Sequence, residues 1–244
     1  MRASVWQKNS VLVRLSFLLG VLLSLSAIVP AEQLPVRTYT TADGSPRDYV
    51  QRIVRDSHGF LWFCTGDGLS RFNGYEFTTY GVEHGLPHPW ITDLIETRQG
   101  IYWVATNGGG VCRFNPSPFR NAEFGLRNEQ PQIRNLFTVY PVGDESMSNR
   151  VEVLYEDHGG QIWAGTDLGL FRLDETNGQA TFRRIALSGH MVVALAEDNE
   201  GSLWISTTEG LVRRLPDGRT VQYPIHPSPI GDLVTGLLCT ATLG

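Results

Sequence analysis

The hydrophobic positions of this chain recur as short runs and not at the three-and-four spacing of a helix. The clearest stretch is 50–72, VQRIVRDSHGFLWFCTGDGLSRF, where apolar runs alternate with Ser-His-Gly and Gly-Asp-Gly punctuation. The pattern occurs four times, centred on Trp62, Trp103, Trp163 and Trp204. Twelve residues earlier stand Val50, Ile91, Val151 and Val192; nine earlier, Ile53, Leu94, Leu154 and Leu195. Three before each tryptophan is a glycine (Gly59, Gly100, Gly160, Gly201), and three after it a threonine (Thr65, Thr106, Thr166, Thr207). A second glycine (Gly68, Gly110, Gly169, Gly210) and an arginine (Arg71, Arg113, Arg172, Arg213) close each copy. A fixed period of this kind defines the structural unit before any other feature is weighed.

Trp62 to Trp103 and Trp163 to Trp204 both span 41 residues, whereas Trp103 to Trp163 spans 60, leaving nineteen extra. One of these is a glycine within Asn107-Gly108-Gly109-Gly110, and the rest fall between Phe114 and Phe137. About 40 residues suits either four short strands or a pair of helices. The glycine punctuation decides for strands, because no interval between these glycines is long enough for a helix. The expected unit is strand a (Val50 to Arg55), b (Phe60 to Thr65), c (Leu69 to Phe72) and d (Glu76 to Tyr80). Strand b is apolar on both faces, as a strand sandwiched between neighbouring sheets must be. The predicted fold class is all-β: a β-propeller of four-stranded antiparallel blades at about 50–80, 91–140, 151–185 and 192–223. Partial strands are expected at 36–40 and 233–238, giving four blades of an incomplete ring and marking the chain as the N-terminal piece of a longer protein. Asn73-Gly74, Asn177-Gly178 and Asp217-Gly218 sit at c–d hairpins, the first and last expected as type I′ turns.

Composition changes this picture little. The chain has 244 residues, 41% hydrophobic and 18% charged, with 26 glycines suited to many turns. A net charge of −5 with no basic stripe argues against a nucleic-acid partner. Residues 1–31 stand apart. Arg2, Lys8 and Arg14 precede an apolar run from Leu15 to Val29, and Val29-Pro30-Ala31 offers small residues for cleavage after Ala31. This is the layout of a secretory signal peptide; as an uncleaved anchor the run is short. A periplasmic location is expected for the rest.

Three cysteines (Cys64, Cys112, Cys239) make no disulfide framework. Cys64 lies two after Trp62, where the other copies have Ala105, Gly165 and Ser206, so close packing is the simple reading. The six histidines share no repeat register and no metal-ligand spacing, so neither a metal nor another cofactor is expected. No nucleophile elbow or phosphate loop occurs either, and the chain is read as non-catalytic.

The repeated polar residues read as structure. Asp56, Asp157 and Asp198 open the a–b turns, where a carboxylate accepts from the turn's own N–H groups. An arginine recurring in every blade is expected to stack on a tryptophan or to pair with an acidic turn. Because strands alternate in direction, the d–a and b–c loops share one rim. His88, Trp90, Asp67, Asn107, Asp167 and Glu209 lie there and are the candidate ligand-binding residues, with Trp90 and His88 supplying a stacking surface and a polar handle. Alternatively, Trp90 merely covers a blade edge.

The string D-x-x-G-x-[LI]-W-x-x-T-x-x-G-L-x-R, from Asp56 to Arg71 and Asp157 to Arg172, together with Gly85-Leu86-Pro87, resembles the two-component regulator propeller repeat. The resemblance spans about 34–238. It departs at Thr97, which stands where the other copies have aspartate, and at Gly44-Ser45-Pro46, which replaces Gly-Leu-Pro. Membership implies the periplasmic sensor of a bacterial receptor, a hybrid histidine kinase or a diguanylate cyclase. It further implies additional blades, a β-sandwich, a membrane helix and a transmitter domain. It also implies a small-molecule or glycan ligand and allows a homodimer. A stand-alone secreted propeller, acting as a carbohydrate-binding scaffold or lyase, is the alternative.

Overall fold

Among the residues the structure describes, the period is realised as sixteen strands in four sheets. A computed structural model describes residues 38–44, 47, 49–116, 136–176 and 179–223. The expected signal peptide, the insert at 117–135, Asn177-Gly178, Cys239 and the partial strand at 233–238 lie outside these residues. Blade one is β1 (Val50–Arg55), β2 (Leu61–Thr65), β3 (Gly68–Phe72) and β4 (Phe77–Tyr80). Blade two is β5 (Ile91–Glu96), β6 (Tyr102–Thr106), β7 (Val111–Phe114) and β8 (Phe137–Tyr140). Blade three is β9 (Val151–Glu156), β10 (Ile162–Thr166), β11 (Gly169–Thr176) and β12 (Gln179–Ala186). Blade four is β13 (Val192–Glu197), β14 (Leu203–Thr207), β15 (Gly210–Arg214) and β16 (Thr220–Tyr223). Each sheet is antiparallel and ordered as in sequence, and the first strands of successive blades lie side by side. In blade one, strands a to d start and end within a residue of the positions expected for them. The leading partial strand does not appear among the described residues: Thr38 to Thr40 carry no strand, and Tyr39 packs edge-on against Phe72 and Phe77, at 5.0 and 5.8 Å.

The repeated residues hold the turns. Asp56 is buried and accepts from four donors: the His58 and Phe60 N–H groups at 2.9 Å, Trp62 Nε1 at 2.8 Å, and the Tyr102 hydroxyl of the next blade at 3.0 Å. Asp157 accepts from Gln161 N and Trp163 Nε1, and Asp198 from Ser202 N and Trp204 Nε1. In blade two the Thr97 hydroxyl accepts from Ile101 N, and it has no second oxygen to offer an indole. At the other end of strand b, each threonine hydroxyl donates to the carbonyl of the following glycine (Gly68, Gly110, Gly169 or Gly210). Glycine is required there. Gly68 has φ +129°, and a Cβ on it would stand 2.5 Å from the Tyr80 carbonyl oxygen.

Each repeated arginine pairs in register with the tryptophan of its own blade. The expected contacts follow in part. Arg213 lies 5.4 Å over the Trp204 ring and bonds Asp198 at 2.8 Å, but Arg71 stacks on Phe60 at 4.6 Å, and Arg172 pairs with Asp174. Two turns differ from expectation. Among the described residues only Leu187 is a non-glycine with positive φ, so neither Asn73 nor Asp217 occupies a type I′ turn, which needs positive φ at both central positions; Asp217 accepts the Arg219 N–H on its side chain. Asn73 instead accepts the Tyr75 and Glu76 N–H groups on its side-chain oxygen, while Gly74 takes φ +101°.

The core lies between blades. Trp62 faces blade two, with its ring 5.7 Å from Tyr102 and 5.5 Å from Phe114. Trp103 packs with Val151, Leu154 and Phe171, and Trp163 with Val192, Leu195 and Ile205. Cys64 is fully buried at the close-packed station, and burial pushes its thiol up, as it pushes Cys112 up to about 12. Neither is a reactive thiolate. Gly165, at the same station, is tightest: a Cβ would stand 2.6 Å from both Val153 and Val192. Gly165→Ala is therefore expected to cost about 1–3 kcal/mol by overpacking, read as a lower urea midpoint at unchanged m-value.

A second set of bonds ties neighbouring blades. The glutamate closing each following strand a reaches back to the preceding a–b turn. Glu96 accepts from Ser57 N at 2.6 Å, Glu156 from Arg98 N at 2.9 Å, and Glu197 from His158 N at 2.6 Å.

Candidate functional site

The shared rim is formed as expected, and each blade places a basic side chain from its d–a side against its own b–c turn. Arg47 pairs with Asp67. The His88 ring lies over Gly108, whose Cβ would stand 3.5 Å from it, and Pro87 lies so close to Gly109 that a Cβ there would stand 2.8 Å away. That close approach gives a reason for the run of glycines at 108–110. His190 pairs with Glu209 at 3.1 Å. Arg150 does most: its Nε donates to Asn107 Oδ1 at 3.0 Å, and its Nη1 lies 3.3 Å from Asp167 Oδ2, so one guanidinium spans blades two and three.

Of the expected site residues, Asn107 and Asp167 both meet Arg150, and His88 and Trp90 adjoin the Asn107-Gly108 turn, while Asp67 and Glu209 stand at separate stations with their own partners. Trp90 is 43% exposed, its N–H donates to His88 Nδ1 at 3.2 Å, and its carbonyl accepts from Asn107 N at 3.0 Å. The backbone of the tryptophan is thus fixed against the b–c turn, and the residue as a whole remains exposed. Asp167 Oδ1 is buried and meets no donor among the described residues. Burial pushes Asp167 up, against the opposing pull of Arg150. It also pushes up Glu152, which Asp167 raises further. Glu152 is the extra residue of a β-bulge between β9 and β10, a device that re-aims a side chain at a sheet's rim.

Sequence reasoning missed Arg150 and Asp93. Arg150 stands thirteen residues before Trp163, the station of Tyr49, Trp90 and Met191 in the other copies, so no shared residue type marks it. Asp93 was visible as a carboxylate at a station that is Arg52, Val153 or Ala194 in the other copies. It is completely buried on β5. It accepts from Leu94 N at 2.7 Å, Leu154 N of blade three at 2.9 Å and Arg52 Nη1 of blade one at 3.0 Å. Burial pushes it up to about 6, against the pull of Arg52. No cluster of three or more metal-ligating side chains occurs among the described residues. Among them, too, no helix is long and apolar enough to cross a membrane.

Four-stranded sheets stacked through their tryptophans define the chain as a β-propeller of repeated blades. The sequence profile of the two-component regulator propeller matches residues 85–108 and 186–209. No curated protein sequence matches the chain. Among solved structures, the extracellular domain of a one-component system from B. thetaiotaomicron shares 22% identity at a TM-score of 0.63, over 85% of this chain and 26% of that one. The extracellular domain of a hybrid two-component system from the same organism shares 18% at 0.60, over 80% and 25%. Virginiamycin B lyase from Staphylococcus aureus shares 16% at 0.54, over 76% and 59%. These are likenesses of fold, and the chain spans about a quarter of the length of the first two.

Proposed function

We propose that this chain is the ligand-sensing part of an extracytoplasmic receptor in two-component-type signalling, itself without catalysis, with output domains carried elsewhere in the parent protein. The repeat type and the fold shared with extracellular receptor domains support the receptor reading. The observation that carries ligand sensing is the rim centred on Arg150, with an exposed tryptophan, a histidine and a buried carboxylate oxygen lacking a donor. Because each acidic residue there already faces a basic one, the rim favours a neutral ligand with hydroxyl donors and an apolar face, such as a small glycan. The bridging of blades two and three by Arg150 offers the route by which occupancy alters blade packing.

A thermal-shift screen of neutral oligosaccharides tests this. A binder at 100 times its Kd adds about 2.7 kcal/mol to the native state. The resulting rise in Tm is expected to vanish in Trp90→Ala and to shrink in Arg150→Ala. A binder whose shift survives both substitutions would remove the rim from the proposal.

A further inference from the structure

The a–b turns of blades one, three and four share an arrangement that blade two has only in part. Asp56, Asp157 and Asp198 each accept the indole N–H of their own blade's tryptophan at 2.8 Å. In blade four the same oxygen, Asp198 Oδ2, also accepts from Arg213 Nη2 at 2.8 Å, so one carboxylate oxygen joins indole and guanidinium. Blade two has the tryptophan and the arginine, Trp103 and Arg113, paired in register as Trp204 and Arg213 are. It has no carboxylate between them. Thr97 stands at that station, and its hydroxyl is taken by the Ile101 N–H at 3.0 Å.

The consequence falls on two donors. Trp103 is only 4% exposed, yet among the described residues its Nε1 meets no acceptor, and a buried indole N–H ordinarily has one. Arg113 is exposed, and among the described residues it has neither an acidic partner nor a ring beneath it. Arg172 and Arg213 have carboxylates, and Arg71 has the Phe60 ring. A cavity of about 350 Å³ opens beside these donors, along Gly100, Ile101, Arg113 and Thr138. Water could serve the indole but would leave the guanidinium without a counter-charge. A planar carboxylate answers both, because its oxygens accept from an N–H and match the fork of an arginine.

We infer that the a–b turn of blade two is a binding site for a small organic carboxylate, which takes the part that an aspartate side chain plays in the other blades. One of its oxygens accepts from Trp103 Nε1, and the group pairs with Arg113. Occupancy gives blade two the link between turn, strand b and strand c that Asp198 supplies in blade four. The site lies on the rim opposite Arg150, so it stands or falls independently of the sensing role proposed there.

Heteronuclear NMR of the tryptophan indole N–H groups in the full chain tests this. Sodium acetate is the probe, sodium chloride at equal ionic strength the control, and Trp103→Phe assigns the signal. The Trp103 indole proton should move downfield and saturate with acetate, while those of Trp62, Trp163 and Trp204 stay in place. Arg113→Gln should raise the acetate midpoint at least about tenfold, as loss of a charge-assisted hydrogen bond implies. Thr97→Asp restores the residue of the other turns and should fold. Its Trp103 signal should stand at the shifted position without acetate and ignore the titration, and its Tm should rise. A Trp103 signal that acetate leaves unmoved would mean that water alone serves the indole, and would overturn the inference. An equal response to chloride, or a response that persists in Thr97→Asp, would do the same. So would a wild-type signal already at the shifted position that moves back in Glu123→Gln or Glu129→Gln, since the chain's own carboxylates would then fill the role.

Discussion

Asp56→Ala is expected to be the most damaging single substitution in a repeated turn, lowering stability by at least about 3 kcal/mol in urea denaturation. The wild-type carboxylate accepts two turn N–H groups, the Trp62 indole and the Tyr102 hydroxyl. Removing it leaves those donors buried without an acceptor, each costing about 1–3 kcal/mol when truly unsatisfied. Tyr102 binds the effect to the blade interface, since burial and the Asp56 carboxylate together push its phenol pKa up. The counterpart Asp157→Ala should cost less, because the bonds to Asp157 come from Gln161 N and Trp163 Nε1 within a single blade. Equal losses at the two positions would show that the cross-blade hydroxyl contributes nothing. An Asp56→Asn variant, which keeps one acceptor oxygen, should fall between wild type and Asp56→Ala.

The same comparison shows what the repeat could reveal and what it could not. Residues whose role is local to a turn were legible from spacing, because four copies place Asp56, Thr65 and Gly68 or their equivalents at one distance from a tryptophan. The strands, their order and the shared rim follow from that distance alone. Contacts across the blade interface were harder to read. Glu96, Glu156 and Glu197 also recur in register, but a glutamate ending a strand has no distinctive local chemistry until its neighbour's turn is seen beside it. The rim was legible as a place, not as a set of bonds. Asp67, Asn107, Asp167 and Glu209 could be assigned to b–c turns, whereas their basic partners come from d–a loops of unequal length, at stations thirteen to fifteen residues before each tryptophan that no shared residue type marks. Asn73-Gly74 failed for a physical reason as well: the asparagine side chain takes the two N–H groups of the loop, so its backbone need not enter the left-handed region.

Asp93 should give the chain an unusual dependence on pH. Its carboxyl is pushed up to about 6 in the folded protein, against about 3.9 in an unfolded chain. The native state therefore holds the proton more tightly between those values, and stability from this group falls as pH rises from about 4 to 6 and is level above. Lowering the pH from 7 to 4.5 should thus stabilise the fold through Asp93, on the order of 2 kcal/mol. Asp174, Asp198 and Asp217 act with opposite sign, because their folded values are lowered, and their contribution starts to be lost only below about pH 5. The charged group facing Asp93 is Arg52 on β1, and the buried Cys64 thiol on β2 lies close enough to be raised by it; β9 supplies only the Leu154 N–H. Asp93→Asn removes the titration and keeps one acceptor oxygen, enough for only one of the Leu94 and Leu154 N–H groups, which bond different carboxylate oxygens. The difference in unfolding free energy between wild type and this variant should grow in favour of wild type as pH falls from 7 to 4.5. Parallel curves over that range would mean that Arg52 and the two backbone donors already compensate the buried charge in full. Because the carboxylate joins blades one, two and three, a measured slope would also make the packing of these first strands a property that responds to the acidity around the protein.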